Sequence, residues 1–97
     1  MGRKKLQRYQ EVKTLENYYD LLTAPKQHWN EWAFKKQQTI VLELGCGYGE
    51  YVVNMARRYP EKNFVGVDVK SERMYIGLTD VNQSGMENAS FLRAPIQ

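Results

Sequence analysis

Three glycines at alternate positions, with carboxylates on both sides, form the part of this sequence best suited to chemistry. They lie in the segment Glu43-Leu44-Gly45-Cys46-Gly47-Tyr48-Gly49-Glu50, and a separate apolar run further along the chain ends in Asp68. Glycine permits sharp turns and lets a ligand approach the backbone closely. Carboxylates accept hydrogen bonds and attract cations. A glycine turn flanked by acidic residues therefore indicates a ligand-binding site.

Alternating strands and helices must position these residues. The apolar run before the first glycine predicts a strand that is buried on both faces, and the turn leads into a helix that Pro60 stops. Ser71 is a candidate N-cap of a further helix. In order, we expect a strand at 39–44, a helix at 50–59, a strand at 63–68, a helix at 71–82 and a strand at 89–93. This order predicts an α/β fold of the Rossmann-like type with about three parallel strands.

The chain before the first strand is predicted to be basic and helical. Its apolar residues recur at three- and four-residue steps, as on one face of a helix: Leu6, Tyr9, Val12, Leu15, Tyr19 and Leu22. A second short helix is expected at 26–34, with Trp29 and Trp32 on one face. We therefore divide the chain into an N-terminal helical extension, 1–38, and an incomplete Rossmann-like domain, 39–97.

Composition narrows the class of protein. The 97 residues are 42% hydrophobic and 26% charged, which is ordinary for a globular domain. No run approaches the ~20 apolar residues of a membrane span. A single cysteine and the absence of a signal-peptide pattern predict a cytoplasmic protein. Doubly wound sheets usually have about five to seven strands, so we expect part of a larger domain, with possible self-association of its cut sheet.

Each glycine of the turn has its own expected role. Gly45 lets the chain leave the strand through a positive φ, and Gly47 leaves room for a ligand against the backbone. Gly49 lets the following helix pack closely. The N-terminus of that helix adds free N–H donors and a partial positive charge.

The two glutamates decide which cofactor fits best. Glu43 and Glu50 would repel the pyrophosphate of NAD, whose usual motif is GxGxxG rather than the GxGxG found here. They would attract the sulfonium and ammonium groups of S-adenosylmethionine. Asp68 is placed to accept hydrogen bonds from the ribose hydroxyls of either cofactor. We therefore expect S-adenosylmethionine.

Other residues with chemical potential have simpler explanations. Cys46 has no evident base nearby and is expected to be a small turn residue rather than a nucleophile. His28, the single histidine, has no matching ligand cluster, so no metal site is expected. The two tryptophans are more often packing residues than stacking platforms. The cluster Arg3-Lys4-Lys5 suits nucleic-acid phosphates and solvent equally well.

The segment 40–50 resembles motif I of class I S-adenosylmethionine-dependent methyltransferases. More narrowly, the chain is similar to the tRNA (guanine-N7)-methyltransferases of the TrmB type. The segments that carry this resemblance are Leu42-Glu43-Leu44-Gly45-Cys46-Gly47, Ala56-Arg57-Arg58-Tyr59-Pro60, residues 63–70, Trp29-Asn30-Glu31-Trp32-Ala33-Phe34 and Gly2-Arg3-Lys4-Lys5. The resemblance implies the N-terminal, cofactor-binding part of a class I methyltransferase fold.

The resemblance also implies roles for individual residues. Glu43 and the glycine loop would hold the methionine part of the cofactor, and Asp68 would hold the ribose where the family usually has glutamate. The carboxylate expected near the adenine is absent from residues 93–97, and Gln97 is the available substitute. The expected cofactor-binding residues are Glu43, Gly45, Cys46, Gly47, Gly49, Asp68, Val69 and Gln97.

The implied reaction is methyl transfer to N7 of guanine in tRNA, with tRNA as the partner of the full-length protein. Guanine N7 has an exposed lone pair and no proton to remove, so no metal and no covalent enzyme intermediate is required. No residue of this chain is identified as catalytic. Three alternatives stay open: a class I methyltransferase for a protein or small molecule, an NAD-binding fragment, and a non-catalytic interaction module.

Overall fold

The computed structural model describes residues 2–20 and 33–95, in which four parallel strands form one sheet. The strands are β1 (Tyr18–Tyr19), β2 (Ile40–Leu44), β3 (Asn63–Asp68) and β4 (Ala89–Arg93), and their order across the sheet is β1-β4-β3-β2. The helices are α1 (Gly2–Val12), α2 (Glu50–Arg58) and α3 (Tyr75–Ser84), with a 3-10 turn at Ser71–Met74 before α3. The alternation of parallel strands and helices confirms the predicted α/β, Rossmann-like class.

The strand register brings the glycine turn and Asp68 together. Val67 of β3 lies opposite Leu44 on one side and Leu92 on the other. Asp68, the last residue of β3, lies opposite Arg93. Because parallel strands end at the same edge of a sheet, the turn after β2 and the acid that ends β3 are neighbours there.

Helices α2 and α3 cover one face of the sheet. The buried side chains of this layer include Val52, Val53 and Ala56 from α2, Leu78 and Val81 from α3, and Phe64, Ala89 and Phe91 from the strands. Complete burial of a large apolar side chain stabilises a fold by roughly 1.5–3 kcal/mol, so this layer fixes both helices on the sheet. On the opposite face, Phe34 packs against Val65 and Val67.

Strand β2 differs from the prediction that both its faces are buried. All six residues of β3 are buried, as expected for a central strand. In contrast, β2 lies at the edge of the described sheet, and Leu42 and Leu44 are 61% and 64% exposed. The apolar run was a correct indication of a strand, but it does not distinguish an edge strand from a central one.

The predicted N-terminal helix is wrong beyond Val12. A turn follows α1, in which the N–H of Thr14 donates to the carbonyl of Glu11 at 3.0 Å. The chain then forms β1, whose Tyr18 pairs with Phe91 of β4, so the sheet has one strand more than the three predicted. Leu6 and Tyr9 are 56% and 41% exposed, and Val12 is the fully buried member of the helical stripe in α1.

The remaining predicted elements have mixed outcomes. The start of α3 is a 3-10 turn, and Ser71 is buried inside that turn rather than capping it, because the N-cap is Lys70. Gly85 ends α3 with a φ of 68°, in the left-handed region that favours glycine. Most of the predicted helix at 26–34, with Trp29 and Trp32, lies outside the described residues.

Two further findings concern the chain as a whole. The division at residue 38 stays a prediction, although β1, which precedes it, joins the same sheet as the later strands. Among the residues that the structure describes, no helix has the length and apolar character needed to cross a membrane.

Candidate functional site

The glycine loop leaves β2 in a left-handed backbone conformation that favours glycine. Gly45, Gly47 and Gly49 have φ values of 75°, 57° and 83°. The N–H groups of Gly45 and Cys46 both donate to the carbonyl of Val67, at 2.7 and 3.0 Å. The positive φ predicted for Gly45 is therefore confirmed, and the loop is fastened to the end of the neighbouring strand.

Asp68 is bound to the backbone of the glycine loop. The N–H of Gly47 donates to Asp68 Oδ2 at 2.9 Å, and the N–H of Lys70 donates to Oδ1 at 3.1 Å. Burial of this carboxylate tends to raise its pKa, but N–H donors from Lys70, Gly47 and Val69 and the charge of Arg73 outweigh burial. The pKa of Asp68 is consequently lowered from its ordinary value of 3.8, and the group is ionised at neutral pH.

Gly45 and Gly47 face open space. A Cβ added to either glycine would meet no atom within 4 Å in the described residues. The absence of side chains at these two positions is therefore not needed for packing inside the described chain. It leaves the backbone of the loop accessible, as the sequence predicted for Gly47.

Gly49 has a different role, in packing. A Cβ at Gly49 would lie 2.7 Å from Cε1 of Phe91 and 3.4 Å from the Cα of Gly77. The close packing predicted for Gly49 is present, but its partners are β4 and α3. A hydrogen bond from the N–H of Gly77 to the carbonyl of Tyr48, at 3.1 Å, completes this contact.

Two glycines that support the loop were not identified from the sequence. A Cβ at Gly77 would lie 2.9 Å from the carbonyl oxygen of Tyr48, and one at Gly66 would lie 3.0 Å from Sγ of Cys46. Glycine inside a helix or strand often marks a close approach of another segment, so the positions of Gly66 and Gly77 were a usable signal.

Glu43 carries an unsatisfied acceptor near Asp68. Its Oε1 atom is buried and has no hydrogen-bond partner in the described part of the chain. Burial raises the pKa of Glu43 above its ordinary value of 4.5. A buried acceptor without a donor costs roughly 1–3 kcal/mol, so this oxygen is a candidate acceptor for a hydrogen-bond donor of a ligand.

Cys46 lies within electrostatic reach of both carboxylates. Burial, followed by the charges of Asp68 and Glu43, raises the pKa of its thiol to about 12. A thiol with that pKa is protonated at neutral pH and is a poor nucleophile. This environment agrees with the expectation of a small turn residue rather than a nucleophile.

Helix α2 begins directly after the loop. Gly49 is its N-cap and forms no side-chain capping bond, and Glu50 lies exposed in the first turn. The first N–H groups of a helix lack partners within it and carry a partial positive charge. They add donors to an edge of the site that already has two carboxylates.

The other predicted site residues are placed as follows. Val69 follows Asp68 and is 47% exposed. Gln97 and His28 lie outside the described residues. Within residues 2–20 and 33–95, no group of histidine, cysteine and acidic side chains is arranged to hold a metal ion.

The arrangement suits a ligand with a positive group and neighbouring hydroxyls. Glu43 offers an unpaired oxygen, and Asp68 retains acceptor capacity beyond the backbone N–H groups that it already binds. Between them, the open backbone at Gly45 and Gly47 permits close approach.

The sequence of this chain is similar to those of known methyltransferases. Residues 37–96 match the family described as "Putative methyltransferase". A tRNA (guanine-N(7)-)-methyltransferase of Bacteroides fragilis is 38% identical over 105 residues, covering 100% of this chain and 42% of that protein. The enzyme of the same name from Christiangramia forsetii is 41% identical over 106 residues, covering 100% of this chain and 47% of that protein.

A third relative matches a shorter stretch more closely. The tRNA (guanine-N(7)-)-methyltransferase of Porphyromonas gingivalis is 49% identical over 69 residues, covering 71% of this chain and 28% of that protein. The chain thus spans less than half the length of these curated relatives. Because the family match runs through the glycine loop, Asp68 and most of the sheet, we conclude that this chain belongs to that methyltransferase family.

Proposed function

We propose that this chain is the S-adenosylmethionine-binding part of a methyltransferase that modifies N7 of guanine in tRNA. The tRNA (guanine-N(7)-)-methyltransferases of this family use S-adenosylmethionine as methyl donor, and two of them align with 100% of this chain. The single observation that carries the proposal is the open backbone of Gly45 and Gly47 between the carboxylates of Glu43 and Asp68.

The residues present fit the cofactor. The unpaired, buried oxygen of Glu43 matches an ammonium donor, which would also favour the ionised form of a carboxyl whose pKa is raised by burial. Asp68 has a lowered pKa and is a charged acceptor suited to ribose hydroxyls. Val69, exposed beside it, supplies an apolar surface next to the ribose position.

The proposed chemistry requires positioning rather than acid–base catalysis. When bound, S-adenosylmethionine supplies an electrophilic methyl group on a positively charged sulfur. Guanine N7 has a lone pair and no proton, so this chain need not supply a base to the acceptor atom. Its residues bind and orient: Glu43 attracts positive charge, the glycine backbone permits close approach, and Asp68 holds hydroxyls. Alignment and a complementary field of this kind lower reaction barriers.

The names of the relatives support the proposed substrate. The names of the relatives supply tRNA as the substrate and guanine N7 as its acceptor atom. We propose a cytoplasmic location, in keeping with the single cysteine. An adenine contact from Gln97 remains a prediction, since that residue lies outside the described range.

Titration calorimetry tests the cofactor. We expect heat of binding with S-adenosylhomocysteine and none with NAD; heat with NAD alone would contradict the proposal. Gly47→Val should remove binding, because its side chain would enter the open space beside the loop. Gly85→Val is the matched control: Gly85 also has a positive φ and no atom within 4 Å of its added Cβ, but it lies at the end of α3. The Gly85→Val variant should lose a similar amount of stability but still bind S-adenosylhomocysteine.

A methylation assay tests the substrate. The full-length protein that contains this chain is incubated with an unmodified tRNA transcript and S-adenosylmethionine labelled in its methyl group, and the RNA is then digested to nucleosides. We expect the label in 7-methylguanosine. Label in another nucleoside would correct the acceptor atom, and label in protein or small molecules with none in tRNA would favour a different methyltransferase substrate.

A further inference from the structure

A basic cleft lies beside the glycine loop, between α1 and the segment that follows β3. Lys4, Lys5 and Arg8 line it from α1, and Lys70 and Arg73 line it from the other side. The volume of the cleft is about 360 Å³. Residues more than 60 positions apart in the sequence therefore place their cationic groups around one space.

The cleft concentrates the positive charge of the protein. Among the described residues that line it, five of seven are lysine or arginine, and the one carboxylate, Glu72, has Oε2 3.8 Å from Nζ of Lys5. With five cations and one carboxylate, these lining residues carry a formal charge of +4, which exceeds the net charge of +3 of the whole chain. Like charges gathered in a cleft repel one another and raise the local concentration of anions.

The cationic groups stand on ordered elements. Arg8 holds its guanidinium carbon 5.2 Å from the centre of the Tyr75 ring, a cation–π contact between α1 and α3. The backbone N–H of Lys70 donates a hydrogen bond to Asp68, which fixes the start of the segment 70–73 that lines the other side of the cleft. A fixed set of donors loses less conformational entropy on binding than a free basic tail does.

An aromatic ring marks the side of the cleft that faces the cofactor site. Tyr48 lies in the glycine loop, lines the cleft and is 51% exposed. Exposed aromatic rings beside lysine and arginine are typical of surfaces that bind nucleic acids, because bases stack on the ring while cations contact phosphates. A site for a simple inorganic anion would have no use for the ring.

From these observations we infer that the cleft binds a backbone phosphodiester of the RNA substrate and holds the RNA beside the cofactor site. This inference rests on the proposed function for the identity of the RNA. It adds a location: the contact with RNA is shared between α1 and the segment after Asp68, rather than belonging to the N-terminal tail alone.

The test removes one exposed cation from α1 and one from the segment that follows β3. In the variant Lys4→Gln/Lys70→Gln, the side chains that change form no hydrogen bond or ion pair within the described residues, so the fold should be kept. The matched control is Lys36→Gln/Lys62→Gln, which makes the same change of charge at two exposed positions. Lys36 and Lys62 precede β2 and β3, at the edge of the sheet opposite the glycine loop.

Binding of an unmodified tRNA transcript is measured by fluorescence anisotropy between about 50 and 200 mM salt. We expect the Kd of the cleft variant to rise roughly 5- to 20-fold. The slope of log K against log salt should become shallower by about 1.4–1.8, since each lost phosphate contact removes roughly 0.7–0.9. The control variant should match the unmodified protein in slope.

The outcomes separate this inference from the proposed function. If the protein binds S-adenosylhomocysteine and methylates tRNA, but the cleft variant and the control behave alike, the inference fails alone. If the full-length protein that contains this chain methylates no tRNA, the proposed function fails, and the inference loses the RNA substrate that it names. Inorganic phosphate and guanosine monophosphate are titrated in parallel. Loss of their binding without a change in tRNA binding would identify a free-phosphate site and overturn the inference.

Discussion

The backbone N–H of Gly47 donates a hydrogen bond to Oδ2 of Asp68 at 2.9 Å, so the residue proposed to hold the ribose also fastens the loop proposed to hold the methionine group. The second oxygen of Asp68 accepts the N–H of Lys70. A carboxylate has about four lone-pair positions, so Asp68 can still accept a hydrogen bond from a ligand. Loop geometry and ligand binding therefore depend on the same ionised side chain.

Replacement of Asp68 should weaken both functions. We expect Asp68→Ala to reduce the affinity for S-adenosylhomocysteine by roughly 1–3 kcal/mol, because ribose hydroxyls and the N–H of Gly47 lose their acceptor. Asp68→Asn keeps one acceptor oxygen and should lose less. Calorimetry gives the affinities and chemical denaturation gives the free energy of unfolding. Equal dissociation constants for all three proteins would contradict the site.

Protonation of Asp68 at low pH should destabilise the unmodified protein, as replacement of this residue does. The folded pKa of Asp68 is lowered from 3.8, so its ionised form contributes stability above the unfolded pKa. This contribution is lost as the pH falls through the folded pKa. The Asp68→Asn variant lacks the group, and its stability should therefore change less over that acidic range.

Alanine substitutions at two glycines of the loop distinguish backbone strain from steric overlap. Gly45 and Gly49 both have positive φ, but a Cβ at Gly45 meets nothing while one at Gly49 lies 2.7 Å from the Phe91 ring. We expect Gly45→Ala to cost about 1–2 kcal/mol from the left-handed conformation. Gly49→Ala should cost roughly 1–3 kcal/mol more, because the buried ring must move.

Chemical denaturation of the two variants measures this difference in the free energy of unfolding. A second change, Phe91→Leu, provides a control, since it removes the ring that the new methyl group would meet. The penalty of Gly49→Ala should be smaller in that background. Equal penalties for Gly45→Ala and Gly49→Ala would show that the contact with Phe91 carries no strain.

The sequence predicted the local parts of this fold better than the distant ones. The bounds of β3 and β4 were predicted as observed, since each is an apolar run that follows a helix stop signal, Pro60 or Gly85. Strand β1 was missed because Tyr19 fits the helical stripe of the N-terminal segment and because β1 pairs with β4, which lies more than 70 positions away. Propensity and periodicity do not report such long-range pairing.

The site shows the same limit. The residue types and order of the glycine loop were sufficient to identify Gly47 as open and Asp68 as its neighbour at the sheet edge. The sequence did not show that Glu43 would keep an unsatisfied oxygen, because burial depends on the whole sheet. It also could not place Lys4 beside Lys70, a proximity that the packing of α1 on the 3-10 turn creates.

The ionised side chain of Glu43 should lower the stability of the free protein and increase its affinity for the cofactor. Its pKa is raised from 4.5 by burial, so the folded protein prefers the protonated form and its contribution to stability is lost as the pH rises through the folded pKa. At neutral pH, Glu43→Gln should be at least as stable as the unmodified protein. Its affinity for S-adenosylhomocysteine should fall by about 1–3 kcal/mol, because the ammonium group loses a charged acceptor.

Calorimetry from about pH 4.5 to 8 checks the sign of this effect. In the unmodified protein, affinity should increase with pH as Glu43 ionises, whereas the Glu43→Gln variant should show a flatter dependence over that range. A variant that binds as tightly as the unmodified protein at neutral pH would remove Glu43 from the site.

The exposed face of β2 should make the isolated chain self-associate. Leu42 and Leu44 are 61% and 64% exposed on the strand at the edge of the described sheet. Exposed apolar side chains on an edge strand favour pairing with another copy, and charged residues at such positions oppose it. Light scattering of the 97-residue chain should show a mass that increases with concentration, and Leu42→Lys/Leu44→Lys should shift it toward the monomer. The control Tyr51→Lys changes another exposed apolar residue, on α2, and should leave association unchanged. A monomeric chain at all concentrations would show that this face does not drive self-association.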